Sequence, residues 1–286
     1  MPFQDEWFAH MRRGDVAAAL RINDAVLAAR DPASRDDPRR PYHERWVWDG
    51  QPLEGRRVLV RCYHGLGDTL QYSRFLAPLR AIAAQVTLET QAGLRSLLAG
   101  LADAVVAFDE RHPLPSRDVD IEIMELSHAL RLAVDDVPPP MLPVPADPNG
   151  ALGLCWQAGD WDPGRSTRLA GLVAALPADA RLVSLQRGPA ASEAQDGFDN
   201  AGDDDPDIAR TARLIAGCSM VVTVDTMVAH LAGTLGARTL LLLRHGCDWR
   251  WRDIGDVAPG YPSVTLLRQD TPGDWSAPLQ SIGRLM

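Results

Sequence analysis

The chain has 286 residues, 46% hydrophobic and 23% charged, which is enough for one large domain or two of ordinary size, each with a core. Its 38 acidic residues outnumber its 29 basic ones, and the net charge of −9 argues against a general nucleic-acid binder, which would carry a basic surface. Every basic residue is arginine, and the absence of lysine excludes Schiff-base lysine chemistry, Walker A loops and kinases that need a strand lysine.

Residues 4–30 predict two short helices, because apolar side chains recur at helical spacing and Gly14-Asp15 interrupts them. One helical hairpin cannot bury its own apolar face, so we expect it to pack on the body of the protein. Residues 31–45 are polar and proline-rich and predict a linker. The first predicted segment is therefore a hairpin with its linker at 1–45.

From Arg56 onward, short β-type runs alternate with helical ones, which indicates a parallel sheet covered by helices. The predicted strands are RRVLVRCY, VTLET, AVVAFD and VDIEIM. The predicted helices are Thr69–Ala84, GLRSLLAGL and a segment that ends at Leu132. We predict a Rossmann-like domain at 46–145.

Residues 135–150 hold six prolines in sixteen positions and predict an interdomain linker or, alternatively, a long surface loop. The alternation then restarts, with strands ALGLCW, RLVSLQ, SMVVTVD and ARTLLLL and helices LAGLVAAL, DPDIARTARLIAGC and TMVAHLAGTLG. Asp205 is the expected N-cap of the second of these helices. A second Rossmann-like domain is predicted at 146–286, so the predicted class is α/β with two such domains facing a cleft and an N-terminal helical hairpin.

The four cysteines form no CxxC pair, and we expect them to be reduced and mostly buried. The first residues contain no apolar signal core, and no stretch approaches 18 uninterrupted apolar residues. We therefore expect a cytoplasmic protein without a transmembrane segment.

The first candidate site is HGLGDT, between the first predicted strand and the next helix. Gly65 and Gly67 permit a tight turn and the close approach of a ligand to the backbone. They place Asp68 near the start of the helix, where its carboxylate can take a proton from an attacking hydroxyl. The alternative is that Asp68 only caps the helix.

The second candidate is VDTMVAH, where a strand ends at Asp225-Thr226 and a helix begins at once. Free N–H groups at that helix start, together with the Thr226 hydroxyl, suit a diphosphate. His230 lies four residues after Thr226 and shares its helix face. The alternatives are a cap formed by Asp225 and Thr226 and a histidine that only packs the helix.

Two further loops combine arginine with aromatic or glycine residues. The segment from Trp156 to Arg168 offers Arg165 and Arg168 for phosphate contact, or is a solvated loop. Trp249 and Arg250 belong to DWRWR, which suits stacking of a base, an anion clamp or a structural clasp. We interpret the acidic run at residues 203–205 as solvated rather than metal-binding and predict no metal site.

Several motifs together resemble glycosyltransferase family 9, the heptosyltransferase family, and most closely its bacterial branch that follows tetratricopeptide repeats. They are GLGDTLQYSRFL, RST, SLQRG, VTVDTMVAHLAGTLG, and CDWRWRD followed by YPSVTLLRQ and GDW. The resemblance runs from about Trp46 to Trp275, and the N-terminal hairpin resembles a worn-down tetratricopeptide repeat.

This resemblance implies the GT-B arrangement, with an N-terminal acceptor domain and a C-terminal nucleotide-sugar domain. Asp68 corresponds to the base that deprotonates the acceptor hydroxyl. The donor site implied by the family comprises Gln186 beside the nucleotide and Asp225, Thr226 and His230 around the sugar and diphosphate. Gly65, Gly67, Trp249 and Arg250 are expected to line the cleft. Neither a metal nor a cofactor is expected, because arginine, a helix dipole and N–H groups can stabilise the departing diphosphate.

The chain departs from the family in two places. Met227 stands where heptosyltransferases have glycine, and the family's lysine near the diphosphate has no counterpart, so Arg165 or Arg168 is the expected substitute. We predict a metal-independent glycosyltransferase that moves a sugar from a nucleotide-sugar to a glycan, lipid-linked or protein acceptor. The alternative is a non-catalytic binding or scaffold protein of the same fold, and a sugar-nucleotide epimerase or phosphatase is a third class.

Overall fold

The computed structural model describes residues 2–37, 40, 45, 47–109, 111–112, 114–145, 147–194, 197–199 and 206–286. The chain divides into two compact units, Met1–Pro140 and Met141–Met286. The division falls inside the proline-rich segment 135–150. Each unit contains a parallel sheet with helices, so the predicted α/β class is confirmed.

Two helices begin the first unit, α1 (Pro2–Arg13) and α2 (Val16–Ala28). Gly14 turns the chain between them with a φ of +77°, a conformation that glycine adopts without a steric penalty. The Asp15 carboxylate accepts a hydrogen bond from the Ala18 N–H and so caps α2. The break predicted at Gly14-Asp15 is thus the turn of a helical hairpin.

A carboxylate on α2 contacts the part of the first unit that follows the hairpin. Asp24 Oδ1 lies 2.8 Å from Nε2 of the buried His128, and Asp24 Oδ2 accepts a hydrogen bond from Arg131 at 3.2 Å. The hydrogen bond from Arg131 is the main cause that lowers the pKa of Asp24, and the one from His128 adds to it. The expected packing of the hairpin on the body of its unit therefore includes a polar contact.

The first sheet has four strands in the order β3-β2-β1-β4, all parallel. The strands are β1 (Arg57–Arg61), β2 (Gln85–Thr90), β3 (Ala104–Ala107) and β4 (Val119–Glu122). The helices are α3 (Leu66–Tyr72), α4 (Leu76–Arg80) and α5 (Leu126–Leu130). The order reverses between β1 and β4, and in such sheets ligands bind beside the carboxyl ends of those two strands.

Two helix predictions in this unit are wrong. The helix predicted at 69–84 begins at Leu66 and is interrupted by a 3-10 turn at Ser73–Phe75. There the Ser73 hydroxyl donates to the Leu70 carbonyl and Arg74 Nε donates to the Gln71 carbonyl, so side chains take backbone acceptors. GLRSLLAGL forms only a 3-10 turn (Ala92–Leu94) and further turns, and Gly100 has a φ of +91°, which no helix accommodates.

The second sheet has seven strands in the order β10-β11-β9-β8-β5-β6-β7, and only β10 is antiparallel to its neighbour. The strands are β5 (Leu152–Cys155), β6 (Leu182–Ser184), β7 (Phe198–Asp199), β8 (Met220–Val224), β9 (Thr239–Leu243), β10 (Val257–Ala258) and β11 (Tyr261–Arg268). The helices are α6 (Leu169–Ala174), α7 (Ile208–Gly217), α8 (Met227–Thr234) and α9 (Ser276–Leu285). Without β10, this is the strand order of dinucleotide-binding sheets, with its switch point between β5 and β8.

Helix α7 begins later than predicted. Its N-cap is Asp207, whose carboxylate accepts a hydrogen bond from the Ala209 N–H at 3.0 Å. The expected cap, Asp205, lies outside the described residues, and so does the rest of the acidic run at 203–205. Strands β7, β10 and β11 and helix α9 were not predicted from the sequence.

Helix α8, which follows the switch point of the second sheet, packs closely against β11. A Cβ on Gly233 would lie 2.6 Å from ring atoms of Tyr261, so only glycine allows the helix to lie this close to the strand. Tyr261 and Trp251 are completely buried in the same apolar cluster. The first turn of α8 follows the carboxyl end of β8 directly along the chain.

Candidate functional site

The chain leaves β8 at Asp225 and enters α8 at Met227, so the turn between them lies at the switch point of the second sheet. Thr226 is the N-cap of α8, and its hydroxyl accepts a hydrogen bond from the Val228 N–H at 3.2 Å. Thr226 therefore caps α8, as one of the two sequence interpretations predicted. A capped helix N-terminus still presents N–H groups and the positive end of a dipole, which attract anions.

Asp225 is a buried acid, with 8% of its surface exposed. Burial raises the pKa of its carboxyl to about 6, and the nearby charge of Asp248 acts in the same direction. Arg165 opposes this rise most strongly, and Trp251 and Arg250 also lower the pKa. A carboxyl with a strongly shifted pKa at a strand switch point is a typical functional-site feature.

Arg165 connects the loop after β5 to the end of β8. It is buried in a 3-10 turn (Pro163–Arg165), and its Nη1 donates a 2.8 Å hydrogen bond to the backbone carbonyl of Asp225. Its Nε lies 3.9 Å from Asp162 Oδ2 but has no hydrogen-bond partner among the described residues. Arg168, by contrast, is exposed as the N-cap residue of α6. Of the two predicted arginines, Arg165 is the one that contacts the end of β8.

Two neighbours of Arg165 were not anticipated from the sequence. The ring of Trp161 lies over the Arg165 guanidinium, with 4.0 Å from its carbon to the ring centroid. Arg244, the first residue after β9, forms a 3.0 Å ion pair with Asp162. The rule that parallel strands bring their carboxyl ends together could have pointed to Arg244. No sequence signal distinguished Trp161 from the other seven tryptophans.

Gln186 follows β6 and is buried, and its side-chain amide forms hydrogen bonds with backbone groups. Its Oε1 accepts hydrogen bonds from the N–H groups of Trp156 and Gln157 at 3.0 and 2.9 Å. Its Nε2 donates to the carbonyls of Gln157 and Arg187. The side chain therefore holds the chain in place as it leaves β5, which is a positioning role at the predicted donor site.

The segment DWRWR forms a 3-10 turn (Trp249–Trp251) capped by Asp248. Arg250 donates a 2.9 Å hydrogen bond to the Asp248 carboxylate, and its guanidinium carbon lies 4.4 Å from the centroid of the Trp249 ring. Arg268, the last residue of β11, stabilises the turn by donating a 2.8 Å hydrogen bond to the Trp251 carbonyl. Because Asp248 and Arg250 both act on the pKa of Asp225, the turn is close to the end of β8.

His230 is buried on α8, with 5% of its surface exposed. Its ring stacks on Trp251 at a centroid distance of 4.8 Å, and its Nδ1 lies 3.3 Å from the Tyr261 hydroxyl. These contacts match the interpretation of His230 as a packing histidine. They also connect the first turn of α8 to the DWRWR segment.

Asp68 lies in the first unit, at the third position of α3, where the chain leaves β1. Its Oδ2 accepts a hydrogen bond from the Gly65 N–H at 3.1 Å, so the carboxylate caps the helix from inside its first turn. The preceding loop is held by Gln91, which donates to the His64 carbonyl at 2.7 Å and accepts from the Thr69 hydroxyl. Asp68 is half-buried and Gly65 is exposed.

A buried charge cluster below this loop was not anticipated. Arg61, the last residue of β1, forms ion pairs with Glu89 on β2 at 2.5 Å and with Asp120 on β4 at 3.0 Å. All three side chains are buried. Arg61 lies inside the predicted strand RRVLVRCY, and the sequence pattern gave no reason to expect two buried acids beside it.

Among the residues that the structure describes, no group of three or more His, Cys, Asp or Glu side chains is arranged to hold a metal ion. Within the same residues, no helix combines the length and the apolar character needed to cross a membrane.

No protein-family model matches the chain, and no curated protein does. Several solved structures share its fold at low sequence identity. The glycosyl transferase family 9 structure from Veillonella parvula DSM 2008 has a TM-score of 0.57 at 11% identity, covering 77% of this chain and 88% of that one. ADP-heptose lps heptosyltransferase II of E. coli has a TM-score of 0.53 at 14% identity, covering 80% and 97%.

The E. coli heptosyltransferase WaaC, solved with ADP-2-deoxy-2-fluoro heptose, has a TM-score of 0.56 at 13% identity, covering 80% of this chain and 98% of that one. These likenesses show the fold. The chain is an α/β protein whose structural neighbours are glycosyltransferases of family 9 and heptosyltransferases.

Proposed function

We propose that the protein is a glycosyltransferase similar to family 9 enzymes, moving a sugar from a nucleotide-sugar donor to a hydroxyl acceptor. One observation carries the proposal. The buried Arg165, the buried acid Asp225 and the capped N-terminus of α8 meet at the β5/β8 switch point, in a fold shared with heptosyltransferases. A family likeness of the hairpin to tetratricopeptide repeats and a cytoplasmic location stay predictions.

The donor diphosphate would lie at the N-terminus of α8. There the first-turn N–H groups and the helix dipole attract negative charge, and Arg165 adds a guanidinium held in place by the Asp225 carbonyl. When the bond between the sugar and the diphosphate breaks, these groups stabilise the charge that develops on the leaving oxygen. We therefore propose that transfer needs no metal, because Arg165 supplies positive charge in place of the family's lysine.

The acceptor hydroxyl would be activated by Asp68 in the first unit. The carboxylate takes the hydroxyl proton, the oxygen bonds to the anomeric carbon of the donor sugar, and the bond to the nucleoside diphosphate breaks. The position of Asp68 after β1, at the switch point of the first sheet, supports this assignment. A glycan, a lipid-linked sugar and a protein side chain all offer such a hydroxyl.

One observation favours the non-catalytic alternative. The Asp68 carboxylate already accepts a hydrogen bond from the Gly65 N–H, as a purely structural cap would. The two functions are separated by slow donor hydrolysis in the absence of acceptor. An enzyme releases sugar and nucleoside diphosphate from its nucleotide-sugar, whereas a scaffold protein binds the compound without breaking it.

The first experiment is a thermal-shift panel of ADP, GDP, UDP and CDP, each beside a corresponding nucleotide-sugar, with ADP-heptose included. A ligand at a hundred times its Kd stabilises the folded state by about 2.7 kcal/mol, which such a panel detects. We expect one nucleotide series to stabilise the protein. A flat response across the whole panel would overturn the proposal.

The two arginines supply a matched pair of variants. Arg165→Ala removes the guanidinium at the end of β8, whereas Arg168→Ala removes an exposed one at the start of α6. We expect Arg165→Ala to weaken binding of the stabilising nucleotide by about tenfold or more, and Arg168→Ala to weaken it less. Equal effects would place the substitute for lysine elsewhere.

A further inference from the structure

Trp161 is a large aromatic residue that the chain leaves in solvent. Its exposed fraction is 75%, the second highest among the exposed large hydrophobic residues that the structure describes. It belongs to the loop after β5, at the switch-point edge of the second sheet. Tryptophan is highly buried on average in proteins. An exposed one beside a candidate site has its large ring surface available to a ligand.

One face of the Trp161 ring contacts the positively charged guanidinium of Arg165. The Arg165 guanidinium lies against it at 4.0 Å, and Arg165 in turn is fixed by its hydrogen bond to the Asp225 carbonyl. The next residue, Asp162, is paired with Arg244 at the end of β9. The indole is thus supported from the protein side by a cation–π contact while most of its surface remains accessible.

The residues on either side of Trp161 are carboxylates. Asp160 is exposed, and Asp162 is half-buried. Carboxylates accept hydrogen bonds from hydroxyls, and the ring face attracts C–H groups because it carries the negative part of the aromatic quadrupole. A pyranose presents C–H groups on one face and hydroxyls around its rim, so an indole flanked by two carboxylates matches it. A nucleobase has fewer donors for carboxylates to accept.

We propose that Trp161 is a stacking platform for the sugar ring of the donor, with Asp160 and Asp162 accepting from its hydroxyls. This inference rests on the proposed function, which places the diphosphate at the N-terminus of α8 beside Arg165. The donor sugar is bonded directly to that diphosphate. The Trp161 indole, which stacks on Arg165, is therefore within reach of the sugar. Trp161 then determines affinity for the sugar, whereas Arg165 determines affinity for the diphosphate.

The test compares Trp161→Ala and Trp161→Phe with the wild type by calorimetric titration. Each protein is titrated with the nucleoside diphosphate and the nucleotide-sugar that bind the wild type most tightly in the panel of ADP, GDP, UDP and CDP compounds. Trp161→Ala is expected to weaken nucleotide-sugar binding by about tenfold and to leave diphosphate binding within about twofold. Trp161→Phe, which keeps an aromatic face, is expected to recover most of the loss.

Val257→Ala removes another exposed apolar side chain of the second unit and serves as the matched control. Its titrations are expected to equal those of the wild type. Because Trp161 is exposed, Trp161→Ala is expected to change the melting temperature by less than about 2 °C, so the variant stays folded.

Three outcomes would overturn the inference. An equal loss for the diphosphate and the nucleotide-sugar would show that Trp161 acts only by holding Arg165, or that it contacts the base. An unchanged affinity for both would show that it contacts no ligand. If the wild type binds no compound of the panel, the proposed function fails together with this inference, whereas the first two outcomes leave the proposed function intact.

Discussion

The raised pKa of Asp225 predicts a specific pH dependence of stability. Burial and the charge of Asp248 raise this pKa from 3.8 to about 6 in the folded protein. Well below pH 4 the carboxyl is protonated in the folded and unfolded states alike and does not affect stability. Between about pH 4 and pH 6 the unfolded state releases this proton while the folded state keeps it, so stability falls as the pH rises. Above about pH 6 both states are ionised and the loss levels off.

A rise of the pKa from 3.8 to about 6 corresponds to about 3 kcal/mol, most of which the wild type loses between about pH 4 and pH 7. Asp225→Asn has no carboxyl to ionise and does not show this loss. The substitution leaves the hydrogen bond between Arg165 and the backbone carbonyl of residue 225 in place. The asparagine variant is therefore expected to gain about 2–3 kcal/mol relative to the wild type as the pH rises across this window.

The assay is urea unfolding of both proteins at half-unit steps from pH 4 to pH 8. The difference between the two free energies of unfolding is plotted against pH, which cancels the titration of the other groups. Asp160→Asn, which changes an exposed aspartate, is the control and is expected to show no such gain. Parallel pH profiles for the wild type and Asp225→Asn would refute the argument that burial raises this pKa.

Three further predictions concern other contacts. Asp68→Asn is expected to lower the rate of transfer at least about a hundredfold while the affinity for the nucleoside diphosphate stays within about twofold; an unchanged rate would contradict the role of a base. Gln186→Ala, which removes the hydrogen bonds to Trp156 and Gln157, is expected to lower the urea unfolding free energy by about 2–4 kcal/mol, and a loss below about 0.5 kcal/mol would show that they add little. Asp24→Ala is expected to speed proteolysis within the N-terminal hairpin several-fold, because it removes the contact to His128, and equal cleavage rates would count against that contact.

The parts of the fold that could be predicted are those whose pattern is local. Strands β1, β8 and β9 each contain a run of buried apolar residues and are followed by glycine or polar turns, and such runs are typical of parallel sheets. The break after α3 could not be predicted, because it depends on Ser73 and Arg74 taking backbone carbonyls. Strand β7 has two residues, too few to produce any periodic signal.

The loops that form the candidate site could be predicted from the sequence, but the contacts of the individual residues in them could not. The expectation that ligands bind at strand ends singles out the turns that hold Asp68 and Asp225, and the structure places both at switch points. Which arginine contacts the end of β8 was not predictable, because Arg165 and Arg168 lie in one loop and only the 3-10 turn at Pro163–Arg165 separates their environments. The backbone role of Gln186 likewise depends on how two strand ends lie side by side.

As proposed, this chain turns over a nucleotide-sugar bound at the β5/β8 switch point. The most direct measurement is the release of nucleoside diphosphate from each nucleotide-sugar of the panel, followed by mass spectrometry for the wild type, Arg165→Ala and Arg168→Ala. We expect release from one nucleotide-sugar series, slowed far more by Arg165→Ala than by Arg168→Ala. Binding without any release, or equal rates in all three proteins, would contradict it.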